Sequence, residues 1–434
     1  MSEKATRRDF LKTSAVVGGA AVGGLSLTRG AHAAEDNILK IGIIGCGGRG
    51  TGAVSNALNA DPNTKLWAMA DAFEDRLAGS LNNLKNGASG DRIDVTPERC
   101  FVGMKAYEDL IDSGVDVVLL ATPPQFRPEH LRAAVAAGKH VFCEKPVAVD
   151  APGIRSVLES TRIAKEKGLT LISGLCWRYH DGVKETMNRV LDGAIGDIHT
   201  IQENYLTGKL WTRARQEGDS EMKYQCRNWY NFDWLSGDFN VEQHVHSLDK
   251  AVWAFGDQPP VAVYGLGARS VRVEQPAYGN IYDQMAVVYE YSDDRKVFAY
   301  CRQQDGCFNE TTDHFYGSKG YANILRYTVK NEEGTWRSRA GGNMYEAEHV
   351  AMYDSIRNAK AVNNGEYMST STMMGIVGRM VCYTGARVTW EDAMASEWNL
   401  TLDPKNYSWD ADPVVLPDDE GHYEVALPGV TKFV

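Results

Sequence analysis

The sequence has a deficit of basic residues and shows neither internal repeats nor low-complexity segments. Its 434 residues include 46 lysines and arginines against 57 aspartates and glutamates, a formal net charge of −11. A chain with this charge lacks the broad positive field that binds nucleic acid or an anionic membrane. We therefore expect a small ligand of little charge, and the length predicts two or three domains.

The N-terminus has the pattern of a twin-arginine export signal. Arg7 and Arg8 lie within TRRDFLK, an apolar run diluted by glycine and alanine covers residues 15–27, and residues 31–33 read Ala-His-Ala, which is typical of a cleavage site. The run is too short for a membrane helix of about 20 apolar residues. We expect residues 1–33 to be removed and the protein to be periplasmic, exported folded, and in contact with the membrane only through the export machinery.

The eight cysteines show neither a CxxC pair nor the Cys/His spacing of a zinc site. The sequence therefore predicts no metal centre. A protein exported already folded need not form disulfides, so we expect mostly free, buried thiols. A pair between Cys301 and Cys307 remains the alternative.

A glycine-rich turn follows the first predicted strand, at residues 39–44. Residues 45–50 read GCGGRG, and a helix is predicted from there to about residue 59. In this setting GxGxxG is typical of a dinucleotide-binding turn, because the glycines let a pyrophosphate approach the helix N-terminus. Asp71 ends the second predicted strand, where an acidic residue binds the adenosine ribose and repels a 2′-phosphate. The pattern favours NAD over NADP, although Asp71 is also suited to a helix cap or turn.

Strands and helices alternate up to about residue 176, with strands predicted at 115–120, 140–143 and 169–173. This alternation predicts an α/β fold with a doubly wound parallel sheet, a Rossmann domain over residues 38–176. Later strands near 260–268, 282–291 and 296–304 are joined by short turns, which indicates an α+β domain with an open, largely antiparallel sheet over residues 177–400. Residues 401–434 are predicted to form an irregular C-terminal arm.

Three further motifs carry a resemblance. Glu144-Lys145-Pro146 follows the strand that ends at residue 143, residues 121–124 read ATPP, and residues 246–249 read HSLD. With these the chain resembles the Gfo/Idh/MocA oxidoreductase family, the relatives of glucose–fructose oxidoreductase and inositol dehydrogenase, over most of residues 38–320. The resemblance implies a site between the two domains, a sugar, polyol or glycoside as substrate, and a homo-oligomer, dimer or tetramer, formed through the open sheet.

The resemblance also implies roles for individual residues. Lys145 corresponds to the catalytic lysine, and a histidine four residues after an acid corresponds to His246, with Glu242 in place of the usual aspartate. Cofactor contacts are expected from Gly45, Gly47, Gly48, Arg49, Gly50, Asp71, Thr122, Pro123, Glu144 and Lys145. Substrate contacts are expected from Arg178, Trp229 and His244, with a core or interface position as the alternative for Trp229.

The role of one further charged position, Arg127, is left open by the sequence. Arg127 stands where many relatives carry histidine, and either contacts cofactor or substrate or is a solvated charge at a helix start. Asp249, one turn after His246, is expected to be structural.

Three functions fit these motifs. The leading hypothesis is hydride transfer between a tightly bound nicotinamide and a carbinol carbon of a sugar, with Lys145 as general base or acid. The second is a redox-neutral NAD-dependent glycosidase or lyase. Such an enzyme oxidises one sugar carbon, eliminates the glycosidic substituent, adds water and reduces the ketone again. The third is a secreted sugar-binding protein without catalysis. Free NAD is not supplied outside the cytoplasm, so export favours a cofactor held through turnover.

Overall fold

The computed structural model of the protein describes residues 37–432. The export signal expected in residues 1–33 lies outside the described residues. Among the helices that are described, none has both the length and the apolarity needed to cross a bilayer. From Leu39 onward the chain forms a single compact unit that contains two sheets.

The first sheet has the strands β1 Leu39–Ile44, β2 Thr64–Asp71, β3 Cys100–Val102, β4 Val117–Leu120, β5 His140–Cys143 and β6 Leu171–Ser173. The sheet is parallel, and its strand order is β3-β2-β1-β4-β5-β6. The helices between them are α1 Gly48–Ala60, α2 Glu74–Lys85, α3 Ala106–Asp112, α4 Arg127–Ala136 and α5 Ala151–Glu166.

Apolar sequence runs explain why the central strands form. The four residues of β4, VVLL, are all buried, and the last four residues of β1 are buried as well. Such runs are typical of parallel strands covered on both faces by helices. Because the strand order reverses at β1, the carboxyl ends of β1 and β4 border the crevice where α/β sheets bind ligands. The predicted doubly wound sheet is confirmed.

The second sheet has nine strands, β7 Ile198–Thr207, β8 Ala262–Ala268, β9 Gln284–Glu290, β10 Lys296–Gln303, β11 Glu310–Gly317, β12 Gly320–Asn323, β13 Thr328–Asn331, β14 Gly334–Arg337 and β15 Val388–Thr389. Their order in the sheet is β14-β13-β12-β11-β7-β10-β9-β8-β15. Neighbouring strands are antiparallel except for the parallel pair of β7 and β10, so the predicted largely antiparallel sheet is also confirmed.

The helices of this second part include short ones near the cavity and two long ones. They are α6 Asp181–Leu191, α7 Glu221–Arg227, α8 Asp233–Ser236, α9 Phe239–Glu242, α10 Val245–Ala254, α11 Met344–Arg357, α12 Gly365–Thr384 and α13 Trp390–Ala395. Nearly every residue of α12 is buried, and this helix packs against β8, α10 and α5.

The helical periodicity of residues 241–255 predicts one continuous helix there, but the structure has two. The chain leaves α9 at Glu242 and enters α10 at Val245. Between them the N–H of His244 bonds the Phe239 carbonyl five residues back, at 3.1 Å, and the N–H of His246 bonds the Gln243 carbonyl three residues back, at 3.2 Å. The regular four-residue spacing of hydrogen bonds is therefore lost, and Glu242 and His246 lie on two different helices.

The C-terminal arm packs on its own chain and contacts both parts of the molecule. Thr401 Oγ1 donates to Asp150 Oδ2 at 2.9 Å, and the Val415 carbonyl accepts from Gln225 Nε2 at 2.7 Å. Its aromatic rings pack against rings of the sheet domains in the pairs Tyr407–Phe126 at 5.3 Å, Trp409–Phe73 at 5.0 Å and Tyr423–Phe232 at 4.9 Å between centroids. The arm thus spans the boundary between the domains.

All eight cysteines lie in the described range and are free, Cys301 and Cys307 included. Six are buried, and Cys100 and Cys307 are partly exposed.

Candidate active site

A cavity of about 590 Å³ opens at the carboxyl ends of β1, β2, β4 and β5 and is closed on the other side by residues of the second sheet domain. This volume lies within the range of about 300–1,000 Å³ that small-molecule sites occupy. Of the residues predicted from sequence, its lining includes Gly45, Gly47, Gly48, Arg49, Gly50, Asp71, Thr122, Pro123, Glu144, Lys145, Trp229, Glu242 and His246. In the described part of the chain, no group of His, Cys, Asp or Glu is arranged to hold a metal ion.

The side chains of Lys145 and Glu242 meet across the cavity. Lys145 Nζ lies 3.0 Å from Glu242 Oε1 and 2.5 Å from the Glu242 carbonyl oxygen. Both side chains are mostly buried, 14% and 13% exposed. Glutamate, in place of the aspartate that the resemblance implies, therefore still reaches the lysine and holds its side-chain nitrogen at the wall of the cavity.

His246 lines the same cavity as a neutral imidazole. Burial lowers its pKa well below the ordinary value, and the nearby charges of Lys145, Lys250 and Arg49 lower it further. Its Nδ1 is buried and has no hydrogen-bond partner among the described residues. A neutral imidazole offers one N–H donor and one lone pair, so His246 can exchange a proton with a ligand in the cavity.

The glycine turn is shaped to receive a pyrophosphate. Gly45 has φ +99°, and a Cβ on Gly50 would lie 1.9 Å from the Gly45 carbonyl oxygen, so both positions need glycine. Helix α1 begins at Gly48 with Gly47 as its N-cap, and its first turn contains no acidic residue. The positive end of the helix dipole therefore faces the cavity uncompensated, as an anion requires.

Asp71 has the turn role that the sequence allowed, and its position also leaves it open to the cavity. Its Oδ2 accepts the N–H of Cys46 at 2.6 Å and its Oδ1 accepts the N–H of Phe73 at 2.8 Å, which ties the glycine turn to the turn after β2. Burial raises the pKa of this carboxyl group. Each oxygen keeps a second lone pair, and Asp71 lines the cavity, so it can also accept from ribose hydroxyls.

Arg49, within the glycine turn, joins two carboxylates. Its Nε pairs with Glu144, and its Nη2 lies 2.9 Å from Glu348 Oε1. Burial raises the pKa of Glu348 well above the ordinary value, and the neighbouring Glu144 raises it further. Glu144 Oε2 in turn accepts the N–H of Lys145 at 3.1 Å. The cluster therefore connects the glycine turn to the backbone that carries Lys145.

Residues 39–175 match the profile of the Gfo/Idh/MocA oxidoreductases, described as an oxidoreductase family with an NAD-binding Rossmann fold. These residues therefore form an NAD-binding Rossmann domain that is similar to the one of that family. The chain is 26% identical to the myo-inositol 2-dehydrogenase of Thermotoga maritima over 69% of this chain and 81% of that enzyme. It is 24% identical to the 2,7-anhydro-N-acetylneuraminate hydratase of Escherichia coli over 58% of this chain and 59% of that enzyme.

A solved structure shows how far the fold is shared. The scyllo-inositol dehydrogenase of Lactobacillus casei with bound NAD(H) and scyllo-inositol superposes with a TM-score of 0.61, at 20% identity, over 83% of this chain and all of that one. The shared fold thus extends beyond the Rossmann domain. By sequence, however, the chain spans less than two thirds of the length of the hydratase.

Two residues expected to contact substrate do not line the cavity. Arg178 pairs with Asp249 Oδ1 at 2.9 Å and Asp257 Oδ1 at 2.8 Å, so its charge is already satisfied within the protein. Asp249 is buried and accepts from Arg178 Nε at 2.9 Å and from Ser371 Oγ at 2.8 Å. His244 is fully buried, with Nδ1 3.0 Å from Asn240 Oδ1. Neither Arg178 nor His244 contributes to the lining.

Other residues lining the cavity were not assigned from sequence. They include Arg76, Tyr107, His130, Arg213, Gln243 and Tyr345. Trp229 does line the cavity, and its ring lies against Trp211 at 5.9 Å and Tyr230 at 5.7 Å between centroids. It is therefore both packed and available to a sugar face.

Proposed function

We propose that the protein is an exported oxidoreductase that transfers a hydride between a tightly held NAD and a carbinol carbon of a sugar, polyol or glycoside. The observation that supports this most directly is the Lys145–Glu242 pair, 3.0 Å apart, on the same cavity as the glycine turn and His246. The relative named as a myo-inositol 2-dehydrogenase supports a polyol or sugar as substrate.

In this proposal Lys145 moves the proton of the reacting hydroxyl group. Bound NAD supplies the hydride acceptor. Lys145 takes the hydroxyl proton during oxidation and returns it during reduction, while Glu242 fixes the position of the nitrogen. His246, neutral at the same wall, orients the hydroxyl by a hydrogen bond. Trp229 offers an aromatic face to the C–H surface of the sugar.

Export would require the cofactor to stay bound, because free NAD is not supplied outside the cytoplasm. The arm contacts support such retention, since Trp409 and Tyr407 pack behind Phe73 and Phe126, which themselves line the cavity. Arg227 of α7 also reaches Asp75 of α2 at 3.0 Å, next to Phe73. A second carbonyl substrate would then reoxidise the reduced cofactor in place.

Absorbance of the purified protein tests this function. We expect the protein to be recovered from the periplasm, cleaved after residue 33, with nucleotide that survives dialysis. Addition of the right sugar should raise the reduced-nicotinamide band, and addition of a carbonyl acceptor should remove it. Nucleotide lost on dialysis would contradict retention, and recovery only from the cytoplasm would contradict export. Sugar binding without any change in the band would indicate a binding protein.

A redox-neutral reaction is the second candidate, supported by the relative named as a hydratase, because adding water leaves the net oxidation state unchanged. The presence of two proton-exchanging groups, Lys145 and His246, is compatible with the extra proton transfers of such a cycle. Release of free sugar from an aryl glycoside without added NAD or acceptor would select this reaction. Strict dependence on an added carbonyl acceptor would select the oxidoreductase.

We further propose that the protein is a homo-oligomer formed through the second sheet. Leu266 of β8, Ala286 of β9 and Tyr300 of β10 pair in one row across this sheet and so share a face. Leu266 is 71% and Tyr300 39% exposed, an apolar surface of the kind that self-association covers. Light scattering should give the mass of a dimer or tetramer, and a monomer mass would contradict the proposal.

A further inference from the structure

Arg127 is a buried guanidinium without an acidic partner. It is 5% exposed and lines the cavity, and no carboxylate among residues 37–432 forms an ion pair with it. Its Nη1 donates to the carbonyl oxygen of Pro146, and its Nε is buried without a hydrogen-bond partner. Burial lowers its pKa, but an arginine side chain stays charged in a protein. A buried positive charge of this kind is costly unless an anion matches it.

The acidic groups around Arg127 are already matched. Glu144 pairs with Arg49, and Glu242 pairs with Lys145. Glu348 Oε1 lies 2.9 Å from Arg49 Nη2, so Arg49 holds this acid as well. With these pairs complete, the guanidinium of Arg127 is left without an ion-pair partner among the described residues, next to the Lys145-Pro146 segment.

The cofactor has its own anion site elsewhere on the lining. A pyrophosphate fits the glycine turn and the N-terminus of α1, which follow β1. Arg127 instead starts α4, after β4, and its hydrogen bond is to the residue that follows Lys145. The anion that matches Arg127 therefore belongs at the position of the reacting substrate.

We propose that Arg127 recognises a carboxylate of the substrate, and that the substrate is an acidic sugar, a uronic or aldonic acid or a glycoside of one. This inference rests on the proposed function and narrows its substrate class. Arginine is suited to the task because its planar fork binds carboxylates through two charge-assisted hydrogen bonds. Arg213, on the exposed loop that borders the cavity, adds a second positive charge at 5.2 Å from the Trp211 ring.

Paired neutral and acidic sugars test the proposal in the purified, nucleotide-containing protein. The probes are D-glucuronate, its methyl ester and D-glucose, with the corresponding galactose series and D-gluconate. Because a charge-assisted hydrogen bond contributes more than a neutral one, we expect kcat/KM for the best acid to exceed that of its neutral counterpart by roughly 10- to 100-fold. The methyl ester should behave as the neutral sugar does.

Two variants isolate the charge of Arg127. Arg127→Gln keeps an N–H donor for the Pro146 carbonyl, and Arg127→His restores the residue that many relatives carry. In both, the ratio of kcat/KM for acid over ester should fall to about one. Arg132→Gln is the matched control, because Arg132 lies on the same helix, is exposed and pairs only with Glu129. The control should keep the ratio of the unchanged protein.

Binding by calorimetry separates this inference from the function on which it rests. Three results together would support the acidic-sugar site and contradict hydride transfer. Glucuronate binds more tightly than its ester, Arg127→Gln removes that difference in affinity, and none of the sugars reduces the cofactor. If the unchanged protein reduces its cofactor with glucose and the ester at the same kcat/KM as with the acids, the inference about Arg127 is wrong and the proposed function still stands. It is also overturned if no acid of the panel binds, if Arg127→Gln keeps the preference, or if that variant loses its nucleotide, since the guanidinium would then serve the cofactor.

Discussion

Replacing Lys145 by alanine should leave NAD bound and slow reduction of the cofactor by roughly 10²- to 10⁴-fold, the usual contribution of general acid–base catalysis. The side-chain contacts of Lys145 are the carbonyl and carboxylate oxygens of Glu242, not the glycine turn or Asp71. Its removal therefore takes away the group that exchanges the hydroxyl proton and leaves the elements that hold the nucleotide in place.

Single-turnover absorbance and the amount of nucleotide extracted per protein measure the two effects separately. The matched control is Lys165→Ala, because Lys165 is an exposed lysine on α5 that pairs with Glu366 far from the cavity. It should reduce its cofactor at the original rate. Full activity of Lys145→Ala would refute the assignment, and loss of activity together with the nucleotide would show that Lys145 acts through cofactor binding.

Replacing Gly50 by alanine should prevent NAD from binding to the glycine turn. The added Cβ would lie 1.9 Å from the Gly45 carbonyl oxygen and 3.0 Å from its carbon, and both are backbone atoms that cannot rotate away. The turn and the start of α1 must separate, so Gly50→Ala should lose NAD and about 1–3 kcal/mol in its free energy of unfolding.

Gly79→Ala is the control for this prediction. Gly79 lies in the middle of α2, where an added Cβ meets nothing within 4 Å. Alanine there should raise the free energy of unfolding by about 0.5–1 kcal/mol through its helix propensity. Urea unfolding and nucleotide extraction compare the two variants. A Gly50→Ala protein that retains its nucleotide and its unfolding midpoint would show that the turn is less constrained than the structure indicates.

The Rossmann domain could be predicted from the sequence because its strands, turns and helices follow one another along the chain and each has its own local pattern. The limits of β1 and β5 agree with the structure residue for residue, since each is an apolar run that ends at a glycine or a charged motif. The glycine turn and Asp71 lie close together for the same reason, within one strand–helix–strand unit. Strands β11 to β14 were not predicted, because they are short and contain many polar residues, such as ETTDHFYG in β11.

Contacts between distant parts of the chain had no signal in the sequence. Glu348 contacts Arg49 across 299 residues, and nothing in the surrounding helix distinguishes it from a solvated acid. Arg178 was expected at the cavity because its position follows β6, but its two aspartate partners come from 71 and 79 residues away. The break between α9 and α10 was missed as well, because residues 241–255 have helical periodicity throughout.

The C-terminal arm has a consequence for how the molecule folds. Two of its rings pack on the Rossmann domain and a third packs on the second domain. Unfolding of either domain would therefore expose apolar surface of an arm that is still bound to the other domain. The two domains should therefore unfold together, as one cooperative unit. For a protein exported folded, as we propose, the translocation machinery would then meet either a finished molecule or an unfolded chain, with no half-assembled form between them.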